Sequence, residues 1–278
     1  MLLRLTGAIV TDIQRKEVLQ LSIDVEALEK ILRQAGELLL DKSLYKEYEV
    51  KDGTANYVTK VDYMVQAFMV EQLDRILPGS NIITEEAKVN SFNFDRPTWI
   101  LDPVDGTTNL MYRYGMSAIS LGLAIGKKAE LGMVYNPFTN EMFIGTRGKG
   151  ASLNGESVRA SGRKSIGECL VGFGTTPYER SGSQRTFEIV HQVFMETREI
   201  RRSGSAALDL AYVACGRLDG FFEMTLQPWD YAAGIAILEA AGGRITDWEN
   251  KNLDMTKASS VVASNGHIHE KLLALINQ

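Results

Sequence analysis

Trp99-Ile100-Leu101-Asp102-Pro103-Val104-Asp105-Gly106-Thr107-Thr108-Asn109 is the stretch on which the reading of this chain turns. Three apolar residues run into a carboxylate, which predicts a buried strand ending at Asp102. Pro103 lacks a backbone donor and fixes its own φ, so the ladder is expected to stop there. Gly106 permits a tight turn, and Thr107, Thr108 and Asn109 suit the start of a helix. Two carboxylates three residues apart at a strand-to-helix turn suit a hard divalent cation. The amides of the following helix start suit an anion such as phosphate.

The composition around this turn is that of a globular protein. The chain has 278 residues, with 45% hydrophobic and 23% charged. That is enough for one large or two moderate domains with a sizeable core. A net charge of −5 argues against a general nucleic-acid surface, and no direct nucleic-acid binding is expected. No apolar run approaches the ~20 residues of a membrane span, so no membrane contact is expected. Cys169 and Cys215 lie far apart, and with no secretory pattern at the start they read as reduced thiols of a cytoplasmic protein.

The periodicity predicts helices over 24–40 and 61–77, the second opened by Thr59 and Asp62 in a capping-box pattern and stopped by Pro78-Gly79. The charged segment 42–53 between them reads as a mobile loop. A short strand, 81–84, ends at Glu85-Glu86. After the opening motif, strands follow at 118–125, 131–135, 141–146 and 151–153. The second half alternates strands at 170–174, 199–202, 218–224, 243–247 and 261–264 with helices at 185–197, 205–216, 229–241 and 267–278. Two helices with a mostly antiparallel sheet, then an α/β layer, define the expected organisation. The divisions are an extension of unknown role at 1–23, an α+β half at 24–155 carrying most of the acids, and an α/β half at 156–278 supplying Asp230.

Glu85, Asp102, Asp105 and Asp230 share one context, a strand end or a helix start. A single acid there also serves as a first-turn residue favoured by the helix dipole, and for Asp230 and Asp62 that plain reading stays open. A cap does not need two carboxylates, a proline and a threonine pair together, however. Acids gathered from separate segments are what a metal-assisted phosphoryl site requires. His191, His267 and His269 lie outside these motifs, and neither cysteine sits in a phosphate-cradling loop. A phosphohistidine or cysteinyl route therefore has no support.

The opening stretch resembles the first signature of the inositol monophosphatase family, and Pro228-Trp229-Asp230-Tyr231-Ala232-Ala233-Gly234 resembles its second. Ser203-Gly204-Ser205-Ala206-Ala207 is similar to the family's substrate-side turn, and Val58-Thr59 with Asp62 and Glu85-Glu86 fall in family order. The likeness covers roughly residues 25 to 275. It implies a layered αβαβα sandwich, α/β in class (α+β by some schemes), of the inositol monophosphatase and fructose-1,6-bisphosphatase type. It implies two or three Mg²⁺ ions, the first held by Glu85, Asp102 and the Val104 carbonyl, the second by Asp102, Asp105 and Asp230. Glu85 with waters would hold a weaker third, near Lys51. A metal-activated water would attack phosphorus, oriented by Glu85 and Thr107 with Asp62 behind Thr107.

By the same resemblance the Gly106 and Thr107 amides take phosphate oxygens. The leaving group is read by Glu223, seven residues before Asp230, with the Ala206 amide, Asp105, Asp230 and Ser205 beside it. Asn56, Thr84 and Gln227-Pro228 depart from the common pattern without removing a proposed ligand. Arg201-Arg202 are placed to steer an anion or are simply solvated. The expected function is hydrolysis of a small phosphorylated polyol, foremost myo-inositol monophosphate, by a Li⁺-sensitive homodimer. Fructose-1,6-bisphosphate, histidinol phosphate and 3′-phosphoadenosine nucleotides are the rival substrates. A regulatory binding protein that keeps the fold is the reading from another class.

Overall fold

The computed structural model describes residues 23–46, 48–52, 56–87 and 92–278, so the extension expected at 1–23 lies outside it but for Ile23. Helix α1 (Val25–Leu40) opens at Asp24, whose side chain accepts from Ala27 N. A 3₁₀ turn (Lys42–Lys46) leads to strands β1 (Tyr48–Asp52) and β2 (Asn56–Thr59), then helix α2 (Lys60–Ile76). Strands β3 (Asn81–Thr84) and β4 (Thr98–Asp105) precede the five-residue helix α3 (Thr107–Met111). Strands β5 (Ala118–Ile125), β6 (Lys128–Asn136), β7 (Glu141–Thr146), β8 (Gly150–Leu153) and β9 (Glu156–Val158) follow. The remainder is β10 (Leu170–Phe173), α4 (Ser183–Glu196), β11 (Glu199–Arg201), α5 (Ala206–Ala214), β12 (Gly220–Leu226), α6 (Pro228–Ala240), β13 (Arg244–Thr246), β14 (Ser259–Ser264) and α7 (His269–Ile276).

Among the described residues, β3 to β9 form a seven-stranded sheet in sequence order. Only its β3–β4 pair is parallel. A five-stranded sheet runs β11-β10-β12-β14-β13, parallel on one side of β12 and antiparallel on the other. Three cores separate the layers. Leu28 and Leu32 of α1 and Val61 and Val65 of α2 pack with Trp99, Leu101 and Met133 on one face of the larger sheet. On its other face Ala118 and Val134 meet α5 and α6, which also cover Phe221 and Ala263 of the smaller sheet. Ile189 and Val193 of α4 and Leu272 of α7 close the outer face of the smaller sheet with Val171 and Val262. Helix pair, sheet, helix pair, sheet and helix pair make five layers, the αβαβα order that the sequence implied. Among the described residues, no helix is long and apolar enough to cross a membrane.

Three local expectations are corrected. Segment 42–53 is not simply a loop, because β1 pairs with β2 antiparallel and the rings of Tyr48 and Tyr57 meet edge-on at 5.8 Å. Its charged residues masked the alternation. Strand β9 was not expected, and it adds an edge on β8. Most important, β4 does not end at Asp102. Asp102 pairs with Ser120 and Asp105 with Ala118, so three residues of β4 span two of β5. Pro103 interrupts the ladder as a bulge instead of ending it. In a regular strand a spacing of three would send the two carboxylates to opposite faces. The extra residue restores the parity and puts both on the face shared by Ser120 and Ala118. That face looks toward α6, since Ser120 Oγ donates to Trp229 O at 3.3 Å.

Candidate active site

Asp230 enters this face from the first turn of α6, where Gln227 N donates to its Oδ2 at 2.7 Å. One carboxylate oxygen from each of Asp102, Asp105 and Asp230 lies within 4.8 Å of the others. Asp102 and Asp105 are buried, and Asp230 is half-buried. Val104 N donates to Asp102 Oδ1 at 2.9 Å. Ser205 Oγ donates to Asp105 Oδ2 at 2.5 Å and Ala207 N at 2.8 Å. Among the described residues, no lysine or arginine forms an ion pair with any of the three.

Glu85 stands in the turn after β3, at the edge of this group. Its Oε1 accepts from Lys51 Nζ at 2.9 Å, and the same ammonium reaches Glu86. Gln66 Oε1 holds Glu86 N at 3.1 Å and the Thr84 hydroxyl at 2.6 Å, which fixes that turn on α2. Thr107 Oγ1 lies 3.1 Å from both Asp62 Oδ1 and the Val104 carbonyl. Asp62 Oδ2 accepts from Thr59 N at 2.8 Å and Thr59 Oγ1 at 2.5 Å, so the expected capping acid also backs Thr107. Gly106 takes φ +88°, and a Cβ there would stand 2.9 Å from Met116 O. The tight turn read from the sequence is thus enforced twice, by conformation and by space.

Glu223 is inside β12 and not at its end, since that strand runs on to Leu226 past an irregularity just after Glu223. Its Oε1 accepts from Thr176 N at 2.8 Å. Gly174 makes room for it, because a Cβ there would come within 2.4 Å of both carboxylate oxygens. The segment after β10 also carries Tyr178. The residue is 61% exposed, yet burial of its hydroxyl and then the charges of Glu85, Asp230, Asp105 and Asp102 push the phenol's pKa up. Sequence reading passed over Tyr178, Thr176 and the buried Asp209. The signal within reach was Gly174, a glycine at the end of an apolar strand where a neighbour comes close. Arg202 Nε donates to Thr175 Oγ1 at 3.2 Å on the same side, whereas Arg201 faces Glu199 at 3.7 Å.

Burial is the largest cause of every shift in this group. It raises Asp102 and Asp230 well above the usual carboxylate range, with repulsion from neighbouring acids adding to it. Burial pushes Asp105 and Asp62 up to about 6 and Glu223 and Glu86 to about 7. Buried carboxylates without a basic partner require protons or a bound cation. Their oxygens are hard donors, so the arrangement fits a divalent cation of the Mg²⁺ type.

A stability signature follows. The fold favours the protonated form of these acids, so their contribution is full below the unfolded value near ~4 and is lost as pH rises through the folded values. Between pH ~4 and about 7, the stabilisation conferred by saturating Mg²⁺ should therefore grow as pH rises. Melting curves with chelator and with Mg²⁺ read this directly. A gap between the two that stays constant or shrinks with pH contradicts the assignment.

Residues 6–278 match the model of the inositol monophosphatase family. Over 250 residues the chain is 37% identical to the Nus factor SuhB of Escherichia coli strain K12, covering 87% of this chain and 91% of that one. Over 264 residues it is 36% identical to inositol monophosphatase 3 of Solanum lycopersicum, covering 93% and 96%. Among solved structures, extragenic suppressor protein suhB from Bartonella henselae aligns with TM-score 0.85 and 34% identity over 91% of this chain and 98% of that one. The family match begins at residue 6, so it reaches further toward the N-terminus than the sequence motifs themselves.

Proposed function

We propose, for a chain that belongs to the inositol monophosphatase family, that it hydrolyses myo-inositol monophosphate to myo-inositol and phosphate with Mg²⁺. Membership makes it a phosphomonoester hydrolase. The observation that supports the metal-dependent part of this reading is the group of three convergent carboxylates beside a threonine backed by a buried acid. Asp102, Asp105, Asp230, Glu85 and the Val104 carbonyl are the groups to hold Mg²⁺. When bound, Mg²⁺ neutralises charge on the phosphoryl group and lowers the pKa of water.

The chain's own residues supply the rest. The amides of Gly106 and Thr107 take phosphate oxygens and fix phosphorus in front of the acids. Water attacks phosphorus as the ester P–O bond breaks, and the bonding pair leaves on the polyol oxygen, which takes up a proton from solvent. The proton of the attacking water passes to Thr107 Oγ1 while Thr107 hands its own to Asp62 Oδ1, 3.1 Å away. An acid held near 6 is matched to that task at neutral pH. Lys51 holds Glu85 in place, and that carboxylate would also serve a cation at its edge of the group. Ser205 and the Ala206 amide act from behind Asp105, which they face.

Glu223 and Asp105 accept from hydroxyls of the departing polyol, with the Thr176 contact holding Glu223 in place. Glu223→Gln keeps an oxygen for Thr176 and loses one acceptor. It should raise KM for inositol monophosphate about tenfold, the scale of one hydrogen bond to a charged group. Hydrolysis of p-nitrophenyl phosphate, which has no such hydroxyls, should be unchanged. Equal effects on both substrates would remove Glu223 from the leaving-group site.

The test of the function is phosphate release from inositol monophosphate, fructose-1,6-bisphosphate, histidinol phosphate and a 3′-phosphoadenosine nucleotide, with Mg²⁺ and with chelator. Preference for another member of this panel replaces the substrate, and no release from any of them ends the enzymatic reading. Inhibition by Li⁺, a homodimer and a cytoplasmic location accompany this proposal. A regulatory role beside catalysis is the second reading, favoured by the 37% identity to a protein named a Nus factor. The intact set of acids argues that such a role adds to catalysis and does not replace it.

A further inference from the structure

Asp209 is a buried acid that the reaction above does not use. It lies in α5 and is 3% exposed. Its Oδ2 is 2.7 Å from Ser203 Oγ. Ser203 Oγ also lies 3.0 Å from the Ser205 carbonyl and accepts from Ser205 N at 3.0 Å. Ser205 Oγ then donates to Asp105 Oδ2. A path of short contacts running Asp209, Ser203, Ser205 and Asp105 thus joins Asp209 to one of the three convergent carboxylates.

Proton counting along this path is restrictive. Ser203 has one hydroxyl hydrogen, and because the Ser205 carbonyl already accepts from Asp209 N at 3.0 Å, that hydrogen is free to go to Asp209 Oδ2. Every contact in the turn is then satisfied, with Asp209 as the acceptor that ends the chain. The surroundings agree. The Gly172 backbone abuts Asp209, since a Cβ there would stand 3.6 Å from its Cγ and against Leu218 and Phe221. Burial drives the acid well above the usual range. The turn is also pinned from the other side, where Asn109 Nδ2 donates to Ser203 O at 3.0 Å and to Met116 O at 2.6 Å. Gly204 takes φ +84° between them.

We propose that Asp209 is a positioning residue that, by accepting from Ser203 Oγ, sets the Ser203–Ser205 turn and through it aims the Asp105 carboxylate for cation binding. The proposal rests on the metal-dependent reading above. Ser205 Oγ holds one oxygen of Asp105, so the direction of the other is fixed by where Ser205 sits. Partners behind a ligand commonly change metal affinity by about 10–100-fold when removed.

Calorimetric titration of the metal-free protein with Mg²⁺ alone tests it without reference to any substrate. Asp209→Ala and Ser203→Ala should each weaken Mg²⁺ binding at least about tenfold. Asp209→Asn, whose amide oxygen can accept the same bond from Ser203, should bind within about twofold of the unaltered chain. Ser203 is the milder site and serves if Asp209→Ala does not fold. Unchanged affinity in both alanine variants with lowered melting temperatures reduces Asp209 to a structural brace and overturns the proposal. Asparagine as weak as alanine also overturns it, because the Ser203 contact would then not be what acts on Asp105. No Mg²⁺ binding by the unaltered chain overturns the metal reading and this inference with it, whereas binding by the unaltered chain separates the two.

Discussion

Asp102→Asn should slow phosphate release by several orders of magnitude while making the chelator-treated protein melt at a higher temperature. Burial and then the charges of Glu85, Asp105 and Asp230 all raise the pKa of Asp102. Asparagine is nearly the same shape and keeps an oxygen for Val104 N, which donates to Oδ1 at 2.9 Å. The local fold should therefore persist. What disappears is one negative charge from a group proposed to hold the cations, and charge neutralisation is most of what such a site contributes. The same loss relieves repulsion that the cation-free fold must otherwise offset with protons. Activity and stability should thus move in opposite directions. Activity within tenfold of the unaltered chain would falsify the assignment of Asp102. A lower melting temperature in chelator would instead say that the carboxylate is a structural partner. The stabilising increment from Mg²⁺ should also shrink in the variant.

Much of the frame could be read because it is written in short-range patterns. The apolar stripes of α1 and α2 recur at helical spacing, and the structure places these helices within one residue of the expected limits. Alternation and turn glycines marked most strands of the larger sheet. The parts that escaped depend on partners far away in sequence. Proline after Asp102 was read as the end of β4, yet Ala118 and Ser120 pair on both sides of it and carry the strand to Asp105. Nothing within β4 reveals that partner. The β1–β2 ribbon escaped because its charges hid a weak alternation that only the partner strand makes visible.

The acids show the same division. Asp102, Asp105 and Asp230 stood out because strand ends and helix starts are where chains present side chains outward, and the structure gathers their oxygens within 4.8 Å. Glu85 shares their context in the sequence, and it sits beside the group with its Oε1 on Lys51. Asp209 and Tyr178 carried no local mark. Asp209 sits inside an apolar helix and matters through Ser203, and Tyr178 belongs to a segment placed by Glu223 through Thr176. Their relation to the acids is made by packing, which one sequence does not record.

Gly132→Ala should cost about 3 kcal/mol, a fall of ~10 °C in melting temperature, and should weaken catalysis as well. Gly122, Gly132 and Gly145 are directly paired across β5, β6 and β7, a row of glycines on one face of the larger sheet. Helix α6 lies in that row. A Cβ on Gly132 would stand 2.1 Å from Ala233 O, and one on Gly145 would stand 2.3 Å from Ile237 Cα. One on Gly122 would stand 3.0 Å from Ala232 Cβ. At Gly132 and Gly145 the obstacles are backbone atoms, which cannot swing aside as a side chain tip does. The helix answers with small residues, Ala232, Ala233 and Ala236, so sheet and helix backbones meet nearly directly. That depth fixes where the first turn of α6 ends up, and the first turn carries Asp230. Lifting α6 to admit one methyl group moves Asp230 away from Asp102 and Asp105, which stay on β4. The variant should need more Mg²⁺ for half-maximal phosphate release in proportion to its lost stability. Gly162→Ala, where an added Cβ meets nothing within 4 Å, is the control and should change neither quantity. A Gly132→Ala protein that melts within ~2 °C of the unaltered chain would mean that α6 is free to shift on the sheet, and the close approach would then not be what places Asp230.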